Sequence, residues 1–190
     1  MHVIKEHTTT TLEVKQSKFI AHLIPYHQFL LLLETLKAEH PKARHFVTAY
    51  RYLNEYDQIV EHSSDDGEPK GTAGKPSLMV LQGKDIINSA VIIVRYFGGT
   101  KLGTGGLVRA YSDALNLVIQ EADLLEYRAE ATKIIELEYG DVRLVDYEID
   151  AHNVLVVNKK FDSKVLYTIK GTQKDLENLL AKLARIIRAR

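Results

Sequence analysis

Residues 90–113 read AVIIVRYFGGTKLGTGGLVRAYSD, and the rest of the chain is organised around this run. Val91, Ile93, Arg95 and Phe97 alternate with Ile92, Val94 and Tyr96, so an extended Ala90–Phe97 is apolar on both faces. That pattern marks a strand covered on both sides, at the centre of its sheet. Five glycines then fall within nine positions, at 98, 99, 103, 105 and 106, giving a backbone able to approach another surface closely. Leu107, Tyr111, Ala114, Val118 and Ala122 recur at helical spacing, and Thr104 is placed to cap that helix.

Strand, glycine loop and helix N-terminus in that order can hold an anion, because loop and first-turn amides face outward with the helix dipole behind them. Arg95, Lys101 and Arg109 add three cations. The plainer reading is a tight connection between strand and helix. The common nucleotide motifs do not fit. A P-loop requires Gly-Lys-Ser/Thr where Gly105-Gly106-Leu107 stands, and the dinucleotide fingerprint meets Val108 where its third glycine belongs.

Lysine plus arginine equal aspartate plus glutamate at 25 each, so no global charge points to nucleic acid or a membrane surface. The chain has no cysteine, which excludes disulfides, thiolate zinc sites and cysteine catalysis and fits a reducing compartment. Its N-terminus carries no apolar signal core, and no apolar run reaches membrane-spanning length. These features together read as a soluble cytoplasmic protein.

Thr8–Val14 and Lys18–Ile24 read as a hairpin turning around Lys15-Gln16-Ser17, and Phe29–Leu36 as a leucine-dense core helix ending at His40-Pro41. Arg44–Leu53 and Gln58–His62 read as a second hairpin. Ser63–Pro76, SSDDGEPKGTAGKP, holds no aliphatic residue larger than alanine and reads as a long loop of the kind that is functional or disordered. Nine of the eleven glycines lie between Gly67 and Gly106, so the two loops are expected to share a surface, with a short helix beginning in Ser77–Gln82 between them. The glycine-loop helix is expected to run to about Glu126. After it come a strand at Thr132–Glu138, a helix at Asp141–Asp150 and a hairpin at Val154–Val157 and Val165–Lys170. The last element is a helix with its stripe at Leu176, Leu179, Leu180, Leu183, Ile186 and Ile187. Lys182, Arg185, Arg188 and Arg190 form its basic end, which complements a C-terminal dipole.

Asp65, Asp66 and Glu68 are the densest acids of the first half, a set able to hold Mg²⁺ or to cap turns. No histidine pair has the HExxH spacing, and no serine stands in a G-x-S-x-G elbow, so no nucleophile is assigned. Tyr50, Tyr52, Tyr56, Tyr96 and Phe97 near Arg44, Arg51 and Arg95 supply the rings and guanidinium groups that single-stranded RNA favours, although tyrosines on strands also pack half-buried. The candidate binding residues are therefore Arg95, Tyr96, Gly98, Gly99, Lys101, Gly103, Gly105, Gly106 and Arg109, with Asp65, Asp66, Glu68 and Lys75 from the earlier loop.

The run Arg95–Tyr111 resembles the signature of the IMPACT family. Ser17–Ala21, His45–Arg51, Ser64–Pro69 and Gly71–Pro76 are similar to further family stretches in the same order. The resemblance covers about the first 125 residues, and Val47 stands where members often have cysteine. It implies an α+β protein. Residues 1–127 would form an N-terminal domain with the two-layer α/β fold of a small-subunit ribosomal protein's second domain. Residues 128–190 would form a small ferredoxin-like domain, here expected to lack its last strand. Eukaryotic relatives are regulators of translation that carry an extra N-terminal interaction domain, which these residues do not include. The functional expectation is a regulatory, non-enzymatic binding protein with no cofactor, whose partner is RNA, the ribosome or a protein of the translation machinery, without membrane association or DNA specificity. Two other classes stay open: a metal-dependent enzyme acting on a small phosphorylated or peptide substrate, and a protein-interaction module without an anion site.

Overall fold

The structure is a computed structural model, and it describes residues 1–189. The chain divides into two compact units, the first spanning Met1–Tyr127 and the second beginning at Arg128.

In the first unit β1 (His2–Ile4), β2 (Thr8–Val14) and β3 (Ser17–Pro25) precede α1 (Phe29–Glu39). β4 (His45–Leu53), β5 (Ile59–Ser64), α2 (Gly74–Gly83), β6 (Ser89–Tyr96), α3 (Gly103–Glu121) and β7 (Leu124–Glu126) follow. Five strands form one antiparallel sheet in the order β2-β3-β6-β4-β5. β6 is central, and every residue from Ser89 to Arg95 is buried, as its two apolar faces require. Val91 and Ile93 pack beneath α2 and α3 with Phe19, Leu81, Leu107 and Leu115. Ala90, Ile92 and Val94 pack on the opposite face with Phe29 and Leu36 of α1. α1 thus adds a partial third layer to the expected two. It is not uniformly core, since Leu30 and Leu31 are each 72% exposed.

The β2–β3 hairpin closes through a two-residue turn in which Lys15 (φ 46°) and Gln16 (φ 65°) are both left-handed, the geometry that matches strand twist. α3 stops at Glu121, short of the expected Glu126, because Leu124–Glu126 leaves the helix to pair with His2–Ile4.

The second unit contains β8 (Glu130–Leu137), α4 (Val142–Ala151), β9 (Leu155–Phe161), β10 (Val165–Thr172), α5 (Gln173–Leu183) and β11 (Ile187–Ala189). The sheet order β11-β8-β10-β9, antiparallel throughout, is the ferredoxin-like βαββαβ arrangement with all four strands. The expectation of a missing last strand is therefore corrected. α5 ends at Leu183, and Ile187 pairs with Leu137. Leu183, Ile186 and Ile187 stand at i, i+3 and i+4, so a three-residue edge strand imitates one more helical turn. Arg190, counted in the basic end, lies outside the described residues. Among the described residues no helix is long and apolar enough to cross a membrane.

Candidate functional site

The acidic loop is held in place by its own carboxylates. Asp65 Oδ1 accepts the amides of Ala73 (3.0 Å) and Gly74 (2.8 Å), and Oδ2 accepts that of Gly71 (2.7 Å). Asp65 thereby satisfies amides at the start of α2, which has no cap from its own N-cap residue. Burial alone would raise the Asp65 carboxyl, but the amides of Gly71, Gly74 and Ala73 outweigh it and hold the group below its ordinary value. Asp66 Oδ2 accepts the Phe46 amide at 2.6 Å, and His45 bonds the Asp66 carbonyl at 2.8 Å. Glu68 is 8% exposed. It pairs with the Arg95 guanidinium of β6 and accepts the Tyr111 hydroxyl of α3 at 2.8 Å. Burial, and then the Glu68 charge, push the Tyr111 phenol well above its ordinary range.

This network corrects the metal reading of the loop. Asp65, Asp66 and Glu68 spend their oxygens on separate internal partners, and among the described residues no three histidine, aspartate or glutamate side chains converge on a metal position. It also changes the role of Arg95, which is a buried structural cation and not an exposed phosphate ligand. Its guanidinium lies 5.3 Å from the Phe19 ring centroid and 5.8 Å from that of Phe97. Its Nε–H is buried with no acceptor among the described residues, a state that costs about 1–3 kcal/mol unless something supplies one.

The glycine loop is fixed against the β2–β3 turn. A Cβ on Gly98 would stand 2.0 Å from the Gln16 carbonyl carbon and 2.2 Å from the Ser17 nitrogen, so only glycine fits there. The Gly98 amide donates to Ser17 Oγ at 3.1 Å. Gly99 (φ 86°) and Gly103 (φ 73°) take left-handed backbone on either side of Lys101. α3 opens with Leu102 at its N-cap, no capping side chain and no acid in its first turn. Thr104, expected as the cap, lies inside that turn because the helix already begins at Gly103. Gly103, Thr104 and Gly105 are exposed, while Gly106 packs under Leu102.

Beside this helix end lies a cavity of about 330 Å³ whose walls include Glu68, Pro69, Arg95, Phe97, Lys101, Leu102 and Leu107. The two loops therefore meet, through Glu68 and Pro69 on one side and residues 97–104 on the other. Arg109 lines a separate cavity across Leu102, together with Lys15 and Asp113. Lys101 and Arg109 are exposed and have no ion-pair partner among the described residues. Lys75 is exposed in the first turn of α2 and does not line this cavity.

Tyr96 points away from the site. Its hydroxyl hydrogen-bonds with His40 Nδ1 at 2.8 Å on the α1 face. The other tyrosines stand at the far end of the sheet: Tyr26 stacks on Tyr52 at 4.1 Å and Tyr50 on His62 at 5.2 Å. Arg51 is buried and donates to Glu61 (2.7 Å) and to the Ile86 carbonyl (2.9 Å). Tyr50, Tyr52, Tyr96, Arg51 and Arg95 are thus structural packing, whereas Tyr56 and Phe97 stand exposed. Tyr111 was the residue missed. A phenol within the apolar stripe of α3 was its one signal, since a buried hydroxyl needs a partner.

Fold and site together define a two-unit α/β protein built on a central strand, a glycine loop and an uncapped helix. Residues 15–119 match the model of the Impact N-terminal domain. An IMPACT family member of Haemophilus influenzae is 35% identical, with 90% of this chain and 84% of that protein covered. The IMPACT family member YigZ of Escherichia coli is 32% identical over 93% and 88%. A crystal structure described only as a hypothetical protein superposes with a TM-score of 0.74 at 28% identity, covering 99% of this chain and 95% of the other. The chain belongs to the IMPACT family.

Proposed function

We propose that the protein is a translation-associated binding protein, regulatory and not catalytic, that holds a phosphate-bearing RNA partner at the N-terminus of α3. The observation that carries this reading is the uncapped first turn of a 19-residue helix, exposed, free of acids and flanked by Lys101 and Arg109, which have no ion-pair partner among the described residues. Unsatisfied amides at the positive end of a dipole attract phosphate, and two nearby cations strengthen that attraction. Membership of the IMPACT family, whose eukaryotic members the resemblance describes as regulators of translation, supports the translation-associated part of this reading. The metal-enzyme alternative loses support because Asp65 and Asp66 are committed to internal amides.

Lys101→Gln is the direct test. Surface substitutions shift stability by less than about 0.5 kcal/mol, so its melting temperature should stay near that of the unmodified protein. RNA binding should weaken, and the slope of log affinity against log salt should fall by roughly 0.7–0.9, depending on strandedness. Unchanged affinity together with an unchanged slope would leave the glycine loop as a tight turn and end this reading.

A further inference from the structure

We infer that β2 is a docking edge for a second copy of this chain, paired antiparallel about a two-fold axis at Thr10. The inference goes beyond the RNA reading and does not depend on it. β2 stands at one end of the five-stranded sheet and, among the described residues, pairs with β3 alone. The two-residue turn makes Val14 and Ser17 a hydrogen-bonded pair, and such pairs alternate along an antiparallel ladder. Thr8, Thr10 and Leu12 therefore spend their backbone groups on β3, while Thr9, Thr11 and Glu13 turn theirs to the free edge. No backbone bond among the described residues meets them there. Edges that stay unpaired are commonly short, charged or bulged, and the other three edges of the two larger sheets follow that rule. β5 has Glu61 at mid-strand, β9 has adjacent Lys159 and Lys160 and a register shift against β10, and β11 has three residues. β2 runs seven residues in unbroken register with no lysine, arginine or proline, and its one charge, Glu13, stands beside its last residue.

A second copy fits this edge because the edge is complementary to itself. A two-fold contact sets residue i against residue j and j against i. With the axis at Thr10, the outward backbone groups of Thr9 meet those of Thr11 in the other copy, once on each side of the axis. Opposed threonines add side-chain pairing to that ladder. The same register sets His7 against Glu13 of the other copy, again twice. His7 lies on the face of Thr9, whose hydroxyl is 2.9 Å from His7 Nε2, and strand alternation puts Thr11 and Glu13 on that face too. A ring nitrogen able to donate thus faces a carboxylate, and Thr8–Leu12 brings no charge against its own copy. An extended peptide of other sequence would find backbone bonds here but no side-chain pocket, and pockets are what give strand addition its specificity.

The test is sedimentation equilibrium of the full chain, free of RNA, over a concentration series from micromolar to millimolar. The weight-average mass should rise from 21.5 kDa toward twice that value and stop there, because a two-fold contact closes. Thr11→Pro removes an amide that β3 does not use, and proline is tolerated where its nitrogen faces solvent at a sheet edge. That variant should stay at the monomer mass throughout. Glu13→Lys sets a cation against His7 at both ends of the contact and should raise the dimer dissociation constant about tenfold. Circular dichroism and melting near the unmodified temperature establish that each variant is folded; if Thr11→Pro is not, Glu13→Lys carries the test alone. The monomer mass at every concentration of the unmodified chain would overturn the inference. Growth past the dimer, or an undiminished dimer in a folded variant, would overturn it as well.

Discussion

Two helices of the first unit begin in glycine-containing loops, and they treat their leading amides in opposite ways. At α2 a carboxylate eight and nine residues upstream, Asp65, reaches back to the amides of Ala73 and Gly74, so the chain supplies its own anion. At α3 no side chain does this, and the first turn is left to solvent. Both stretches join glycines to charged residues in the sequence. The acids that seemed suited to a ligand complete a loop, and the helix whose leading amides meet no carboxylate presents an exposed first turn. An internal carboxylate turns an anion site into a structural joint, and its absence leaves the site available.

The largest expected effect comes from breaking the joint where the two loops meet. Glu68→Ala leaves the buried Arg95 without its counter-charge and the Tyr111 hydroxyl without its acceptor. Removing one partner of a buried pair costs about 3–5 kcal/mol, so the urea midpoint should fall steeply. A shift no larger than that of a surface substitution would show that the acidic loop is not anchored through Glu68.

Asp65→Ala should cost about 2 kcal/mol, the upper range for a lost helix cap, and should leave RNA affinity of the folded protein unaltered. The pH dependence follows from the lowered Asp65 carboxyl. The folded state favours the carboxylate, so the unfolded chain takes up the proton first as pH falls. The contribution of Asp65 is therefore complete above its ordinary value of 3.8 and is lost as pH drops through the lower folded value. Stability curves of the two proteins, measured by denaturant titration from pH 6 to pH 2, should converge at the acid end. Parallel curves would contradict the capping role.

The smallest effect is also the sharpest. Gly105 faces open space, with nothing within 4 Å of a built Cβ, so Gly105→Asp gives α3 the carboxylate that α2 already has. Stability should rise by about 0.3–1 kcal/mol through the dipole, while RNA affinity falls severalfold because the amides and Lys101 now face an internal anion. A variant that binds RNA as tightly as before would erase the distinction between the two helix ends.

Much of this architecture was legible in the sequence, because β6 is apolar on both faces and α3 carries a strong stripe, and period alone distinguishes such elements. What escaped were elements too short to show a period. β1 and β7 are three residues each, and β11 was absorbed into the preceding helical pattern. The site was legible in its parts but not in its assignments. Glycine spacing located the loop, yet Arg95 belongs to Glu68 and Tyr96 to His40. A side chain's partner depends on which strand face it occupies and on what packs there, and both are tertiary facts.

The pairing of β1 with β7 places His2 beside Glu126 and Ile4 beside Leu124, at the roughly 4.8 Å spacing of neighbouring strands. The first unit therefore begins and ends at one place on its surface, on strands that lie outside the five-stranded sheet. A unit with coincident ends is portable. It can be set within or ahead of other sequence without opening its own sheet, because chain entry and exit share a single seam.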